Sequence, residues 1–241
     1  QMSISTPGEC PQGLTFDGKY LWNIDRKSDM IYRINPQSGN VDDSVVTPGF
    51  VPRGLTWDGK RLWCIDAEEE LIYAVNPKTR IIEKSIYCPV GRPMGLAWDG
   101  RYLWLAADRN EEIHQISPED GTTIKTIPAP TRNSTGITFD GTCLWVADRY
   151  RDMIFMVTPE SGEVIISLDS PAPHAWGMAW DGANLWNADY QSDRIYKIDV
   201  SGDQKYVRSD PKTQKVEFIM QARNYGPGPL KTLDMYIAVP H

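Results

Sequence analysis

The chain has 241 residues, 32 acidic against 25 basic side chains, a net charge of −7 and a pI near 5.0. No long basic stretch occurs, which removes electrostatic support for nucleic-acid binding, and no run of about 18 apolar residues occurs, which excludes a helix spanning a membrane. The length suits one large all-β domain with a small appendage.

In chain order the first element is a short strand, Ser3-Ile4-Ser5-Thr6-Pro7-Gly8. Five copies of one unit follow, opened by Gly13, Gly54, Gly95, Gly136 and Gly177, each 41 residues after the last. A strict period of about 40 residues points to a propeller or a solenoid. Within copy two, Gly54–Trp57 is a strand ending in the Asp58-Gly59 turn and Arg61–Asp66 is a second. Leu71–Val75 is a third, stopped by Asn76-Pro77, and Ile81–Tyr87 a fourth. β-branched and aromatic runs bounded by Asp-Gly and Pro are strand and hairpin signals. Four strands per copy make one propeller blade. Trp22, Trp63, Trp104, Trp145 and Trp186 hold one position in the second strand. Phe16, Trp57, Trp98, Phe139 and Trp180 hold one in the first. The second strand is apolar on both faces, as a sheet sandwiched between two others requires, so these ten aromatics are assigned to the core.

Residues 3–8 match Ser44-Val45-Val46-Thr47-Pro48-Gly49 at the same offset. That segment is the fourth strand of copy one, while copy five has only three strands. The N-terminal strand is therefore expected to complete the last blade and shut the ring, removing an exposed edge. The fold class follows: all-β, a five-bladed β-propeller over residues 1–202, then a linker and β-hairpin over 203–241. A lone hairpin is marginal in water. It is expected to pack on the propeller, to meet a partner domain, or to pair between copies in a homo-oligomer.

Acids repeat with the period. Asp25, Asp66, Asp148 and Asp189 end the second strand, with Ala107 and then Asp108 in copy three; four residues beyond lie Asp29, Glu70, Glu111, Asp152 and Asp193. A ring of carboxylates could hold calcium. Repetition in every copy favours caps on loop N–H groups instead. No metal or cofactor motif is read. Cys10, Cys64, Cys88 and Cys143 lack metal-type spacing, and free thiols are preferred over two disulfides.

Function is sought where the copies differ. Gln12, Arg53, Met94, Thr135 and Trp176 each precede the repeat glycine, at the start of the innermost strand, and should face the channel mouth. The loops between strands two and three bring Arg26, Lys27, Glu68, Glu69, Asp108, Arg109, Arg149, Tyr150, Arg151 and Tyr190 to the same face. Seven of the 14 arginines (Arg26, Arg53, Arg92, Arg109, Arg132, Arg149, Arg151) lie in these loops. The guanidinium fork suits carboxylate or phosphate, and Arg with Trp and Tyr is typical of binding hot spots. The candidate ligand-binding set is Gln12, Arg26, Arg53, Arg149, His174, Trp176 and Tyr190. The competing reading pairs these arginines with Glu68, Glu69, Glu70, Glu111 and Glu112 as a solvated network. His174 is either a general base at the mouth or a surface residue; His114 is assigned to packing.

The repeat resembles the propeller group that includes NHL-type and YVTN-type repeats, streptogramin-lyase-like proteins and glutamine cyclotransferases. Pro11-Gln12-Gly13-Leu14 resembles the Gln-Gly-Leu opening of the cyclotransferases, and Leu185–Ile195 resembles one of their later blades. Their pattern carries acidic residues in a strand where this chain reads Ala175-Trp176-Gly177-Met178-Ala179-Trp180. In the tail, Asn224-Tyr225-Gly226-Pro227-Gly228-Pro229 and the strand ending Ile237-Ala238-Val239-Pro240 resemble the β segment preceding transglutaminase-like domains.

Two functions are carried forward. One is a non-catalytic recognition module, extracytoplasmic (secreted, periplasmic or cell-surface), binding an anionic, peptide-like or protein ligand at the mouth. The other is a cyclotransferase-like or lyase-like enzyme in the central channel, using Gln12, His174 and an acid such as Glu69.

Overall fold

The computed structural model describes residues 2–200; the hairpin expected in 203–241 lies outside them. Among the described residues there are twenty strands, no helix, and hence no helix able to cross a membrane. They form five four-stranded antiparallel sheets, one per copy. The innermost strands are Pro11–Phe16, Pro52–Trp57, Pro93–Trp98, Ser134–Phe139 and Ala175–Trp180. In the last blade Ser3–Ser5 pairs with Arg194–Asp199, placing Ile4 opposite Ile195. The Arg194 Nε–H also donates to Ser3 Oγ at 2.9 Å. Ring closure by the N-terminal strand is therefore observed.

Each hydrophobic cluster lies between two neighbouring blades, and each holds one of the five second-strand tryptophans. All five second strands are buried along their length from the repeat Leu to the residue at the mouth. Fully burying one such large apolar side chain stabilises by about 1.5–3 kcal/mol. An indole N–H in such a place needs an acceptor. The turn Asp five residues earlier supplies it every time, at 2.7–2.8 Å: Asp17 to Trp22, Asp58 to Trp63, Asp99 to Trp104, Asp140 to Trp145 and Asp181 to Trp186. The second oxygen of each Asp accepts the backbone N–H groups that close its turn.

The repeat glycines allow the innermost strands to meet at the axis. A Cβ at Gly95 would sit 2.6 Å from the Thr135 carbonyl, and one at Gly136 or Gly177 would overlap the Trp176 or Gln12 carbonyl. The axial space left over is about 10 Å³, lined by these glycines, the residues that follow them, and Thr135 and Trp176. That is about the room of one water. The axial space is thus narrow between the innermost strands, and the wider cavities lie at the mouth.

Candidate functional site

The mouth is built by one irregularity repeated five times. Each innermost strand starts with a register shift against the second strand, between Pro11 and Leu14, Pro52 and Leu55, Pro93 and Gly95, Ser134 and Ile137, and Ala175 and Gly177. Bulges re-aim side chains. The pre-glycine residues Gln12, Arg53, Met94, Thr135 and Trp176 all fall within these shifts.

Two cavities open there. The first, of about 290 Å³, is lined by Gln12, Arg26, Arg53, Arg149, Tyr150, His174, Trp176 and Tyr190. All seven residues of the candidate set thus line one cavity, although they come from blades one, two, four and five. The second, of about 340 Å³, shares Arg53 and Arg149 with the first and adds Glu68, Arg92, Met94 and Asp108. Thr135 lines the axial space rather than either cavity, and its hydroxyl lies 2.9 Å from the Ala175 carbonyl and 3.1 Å from that of Ala147.

Trp176 is the fixed point of the first cavity, with 6% of its surface exposed. The Arg149 guanidinium lies 4.7 Å from its ring centre, the Arg53 guanidinium 5.3 Å, and the Tyr190 ring 5.7 Å at a 44° tilt. Cation–π contact holds both arginines without neutralising them. Arg53 donates to Gln12 Oε1 at 2.6 Å, a neutral partner. Burial first, then the charges of Arg26 and Arg149, push Arg53 from 12.5 down to about 10. The Arg53 Nε–H, the Arg149 Nε–H and the Trp176 indole N–H are buried and have no hydrogen-bond partner in the protein.

The competing arginine–acid network is found only in part. Arg132 pairs with Glu111 at 3.3 Å, Arg149 with Asp108 at 3.5 Å and Arg151 with Asp148 at 3.9 Å. Among the described residues Arg26 and Arg53 form no ion pair within 4 Å. Glu69 accepts the Tyr73 hydroxyl at 2.5 Å and lines neither cavity. His174 has a backbone φ of 65°, its N–H donates to Asp152 Oδ1 at 3.0 Å, and its Nδ1 has no partner. Among the described residues no carboxylate lies within 4 Å of a His174 ring nitrogen, so the pairing of Glu69 with His174 is not formed. His114 is buried in strand three, where burial lowers its pKa and Glu112 opposes that.

The strand-end acids do cap loops. Asp66 accepts from the N–H groups of Val51 at 2.6 Å, Glu69 at 2.7 Å and Glu68 at 3.0 Å. Asp25, Asp148 and Asp189 hold their own loops in the same way. The second acids work differently from expectation. Asp29, Glu70, Asp152 and Asp193 have φ of 53–55°, a left-handed turn conformation that Asp tolerates better than most residues. All five carbonyls at this position, Glu111 included, accept an N–H from the end of the outermost strand. Among the described residues no three acids, histidines or cysteines converge to hold a metal. All four cysteines are free; Cys64 is fully buried, which pushes its thiol far up, and Cys88 is pushed up to about 11 by burial.

Asp108 was placed among the mouth loops by the sequence but left out of the candidate ligand-binding set. In blade three Ala107 occupies the strand-end position and is fully buried. The carboxylate is thereby shifted one residue, leaves its own loop and faces Arg149. The signal was present in the sequence as the one copy lacking the repeated Asp.

No family model matches this chain, and no curated protein does. Solved structures do. A glutaminyl cyclase from Myxococcus xanthus superposes with a TM-score of 0.72 at 12% identity, over 82% of this chain and 94% of that one. A streptogramin B lyase matches with a TM-score of 0.51 at 18% identity, over 84% and 70%. An inactive virginiamycin B lyase variant from Staphylococcus aureus, solved with quinupristin, matches at 0.50 and 20% identity, over 81% and 72%. At these identities the likeness is one of fold, a β-propeller shared with proteins that are enzymes.

Proposed function

We propose that this protein is a recognition module, in an extracytoplasmic setting, that binds an anionic, peptide-like ligand in the first mouth cavity. One observation carries the reading: the lining holds Arg26, Arg53 and Arg149 but no carboxylate, and three of its buried N–H groups have no acceptor. A buried, unpaired guanidinium is costly, and a carboxylate offsets that cost through charge-assisted bonds that are stronger than neutral ones. Trp176 and Tyr190 supply the apolar wall for the adjoining side chain. The probe is the dipeptide Ala-Phe and its C-terminal amide, titrated calorimetrically. The acid binds, the amide binds at least about tenfold more weakly, and Arg53→Ala erases that difference. Equal binding of acid and amide rejects the reading.

A second reading keeps its place because of the superposition on a glutaminyl cyclase: cyclisation of an N-terminal glutaminyl peptide, with chemistry in the central channel or at its mouth. Incubation of such a peptide with the protein tests it by mass spectrometry. Loss of ammonia that requires His174 or Asp108 favours the enzyme, and an unchanged peptide leaves the recognition module alone.

A further inference from the structure

Four of the five blades spend their strand-end acid on their own loop, and only blade three releases it. Asp108 has a side chain 12% exposed, and its Oδ1 stands 3.5 Å from Arg149 Nη2 without a hydrogen bond to any group. Its backbone is held on both sides: its N–H donates to the Arg92 carbonyl at 3.0 Å, and it bridges to Asn133. A buried carboxylate oxygen on a fixed backbone, paired only loosely, can accept a further donor. Glu68, exposed on the same cavity, adds a second acid.

The two cavities therefore differ in charge. The first carries Arg26, Arg53 and Arg149 and no acid, while the second carries Arg53, Arg92 and Arg149 together with Asp108 and Glu68. Arg53 and Arg149 form the boundary they share. A ligand spanning that boundary meets guanidinium groups without a carboxylate at one end, and at the other the carboxylates of Asp108 and Glu68 beside Arg92.

We infer that the mouth reads a zwitterion, a short peptide whose carboxylate lies in the arginine cavity and whose ammonium is held by Asp108, with Glu68 beyond it. This rests on the anion-binding reading above and adds the second pole to it. A neutral or purely anionic ligand would leave Asp108 Oδ1 unsatisfied, and a site built to bond a donor rejects an analogue lacking it.

The test uses three forms of one peptide on the full chain: Ala-Phe, N-acetyl-Ala-Phe, which lacks the ammonium, and the C-terminal amide, which lacks the carboxylate. Ala-Phe is expected to bind about tenfold or more tightly than the acetylated form, and Asp108→Asn to erase that gap while leaving the acid-over-amide preference in place. Glu68→Gln narrows the gap less, since Glu68 is exposed, and serves as the variant if Asp108→Asn fails to fold. If the acetylated and free peptides bind alike to the natural protein, the zwitterion is overturned while anion binding stands. If acid and amide bind alike, anion binding itself has failed. If none of the three binds, a peptide zwitterion is overturned as well.

Discussion

The two ends of the ring are made from the same repeat and have come to opposite uses. At one end lie five Asp-Gly turns, each with the same Asp-to-Trp hydrogen bond and the same turn N–H contacts. At the other end the bulge recurs in every blade, but the residue it presents is Gln, Arg, Met, Thr or Trp. At the Asp-Gly end each turn Asp is satisfied by its Trp and by its own turn N–H groups. At the mouth end Arg53, Arg149, Trp176 and Asp108 keep buried atoms without hydrogen-bond partners, and so do the repeated Asp148, Asp189 and Asp193. The contrast sets a turn end closed on itself against a mouth end that keeps polar atoms open, with the variable side chains Arg53, Arg149 and Trp176 lining its cavities.

The largest expected effect is at the axis. Gly136→Ala places a methyl group against the Trp176 carbonyl and 2.9 Å from Met178 Cγ. Neither strand can retreat without opening the ring, so a loss of about 3 kcal/mol or more is expected by denaturant unfolding. Tolerance of this change would mean that the innermost strands are not in close contact.

Next comes the turn end. Asp58→Ala removes the acceptor of the Trp63 indole and of the Lys60 and Arg61 N–H groups. Leaving a buried donor unsatisfied is expected to cost about 1–3 kcal/mol. This end also sets an acid limit. Burial opposes the Asp58 charge, but the bonds from Trp63, Arg61 and Lys60 outweigh it and hold its pKa below 3.8; Asp181 behaves likewise with Trp186, Asn184 and Ala183. A carboxylate whose folded pKa lies below its unfolded value contributes stability above about pH 4 and loses it as the pH falls through the folded value. Thermal melts should stay level down to about pH 5 and fall below about pH 4. Asp58→Asn should flatten part of that decline, and a decline of the same depth in the variant would remove Asp58 from the account.

The smallest effect is expected at the mouth. Arg53→Met removes a half-buried charge repelled by Arg26 and Arg149, which offsets the lost contacts with Gln12 and Trp176. Stability should stay within about 1 kcal/mol of the natural protein, while the preference for an acid ligand disappears. A loss as large as that of Asp58→Ala would put Arg53 among the ring-holding residues and dissolve the comparison.

Much of the fold was legible because a propeller blade is a local object. The 41-residue spacing, the Asp-Gly and Pro turns and the doubly apolar second strand each follow from chemistry within one copy. Ring closure was legible too, since residues 3–8 repeat a fourth strand that copy five lacks. The mouth cavity was legible through the residues before each glycine, with Thr135 the exception. Its small hydroxyl reaches two nearby carbonyls instead, a choice set by the backbone of the next blade.

What the sequence by itself determined, then, is the blade, the count of five, the closure and the set of side chains delivered to one face. Periodicity and turn chemistry act within a few residues and need no partner from afar. Only the tertiary structure decided how narrow the axial space is, that Glu69 turns to Tyr73, and that Arg53 meets Gln12 rather than an acid. It also carried Asp108 out of its loop to Arg149. Each of these depends on which blades stand side by side and how closely glycine lets them approach, and spacing along one chain does not encode those distances.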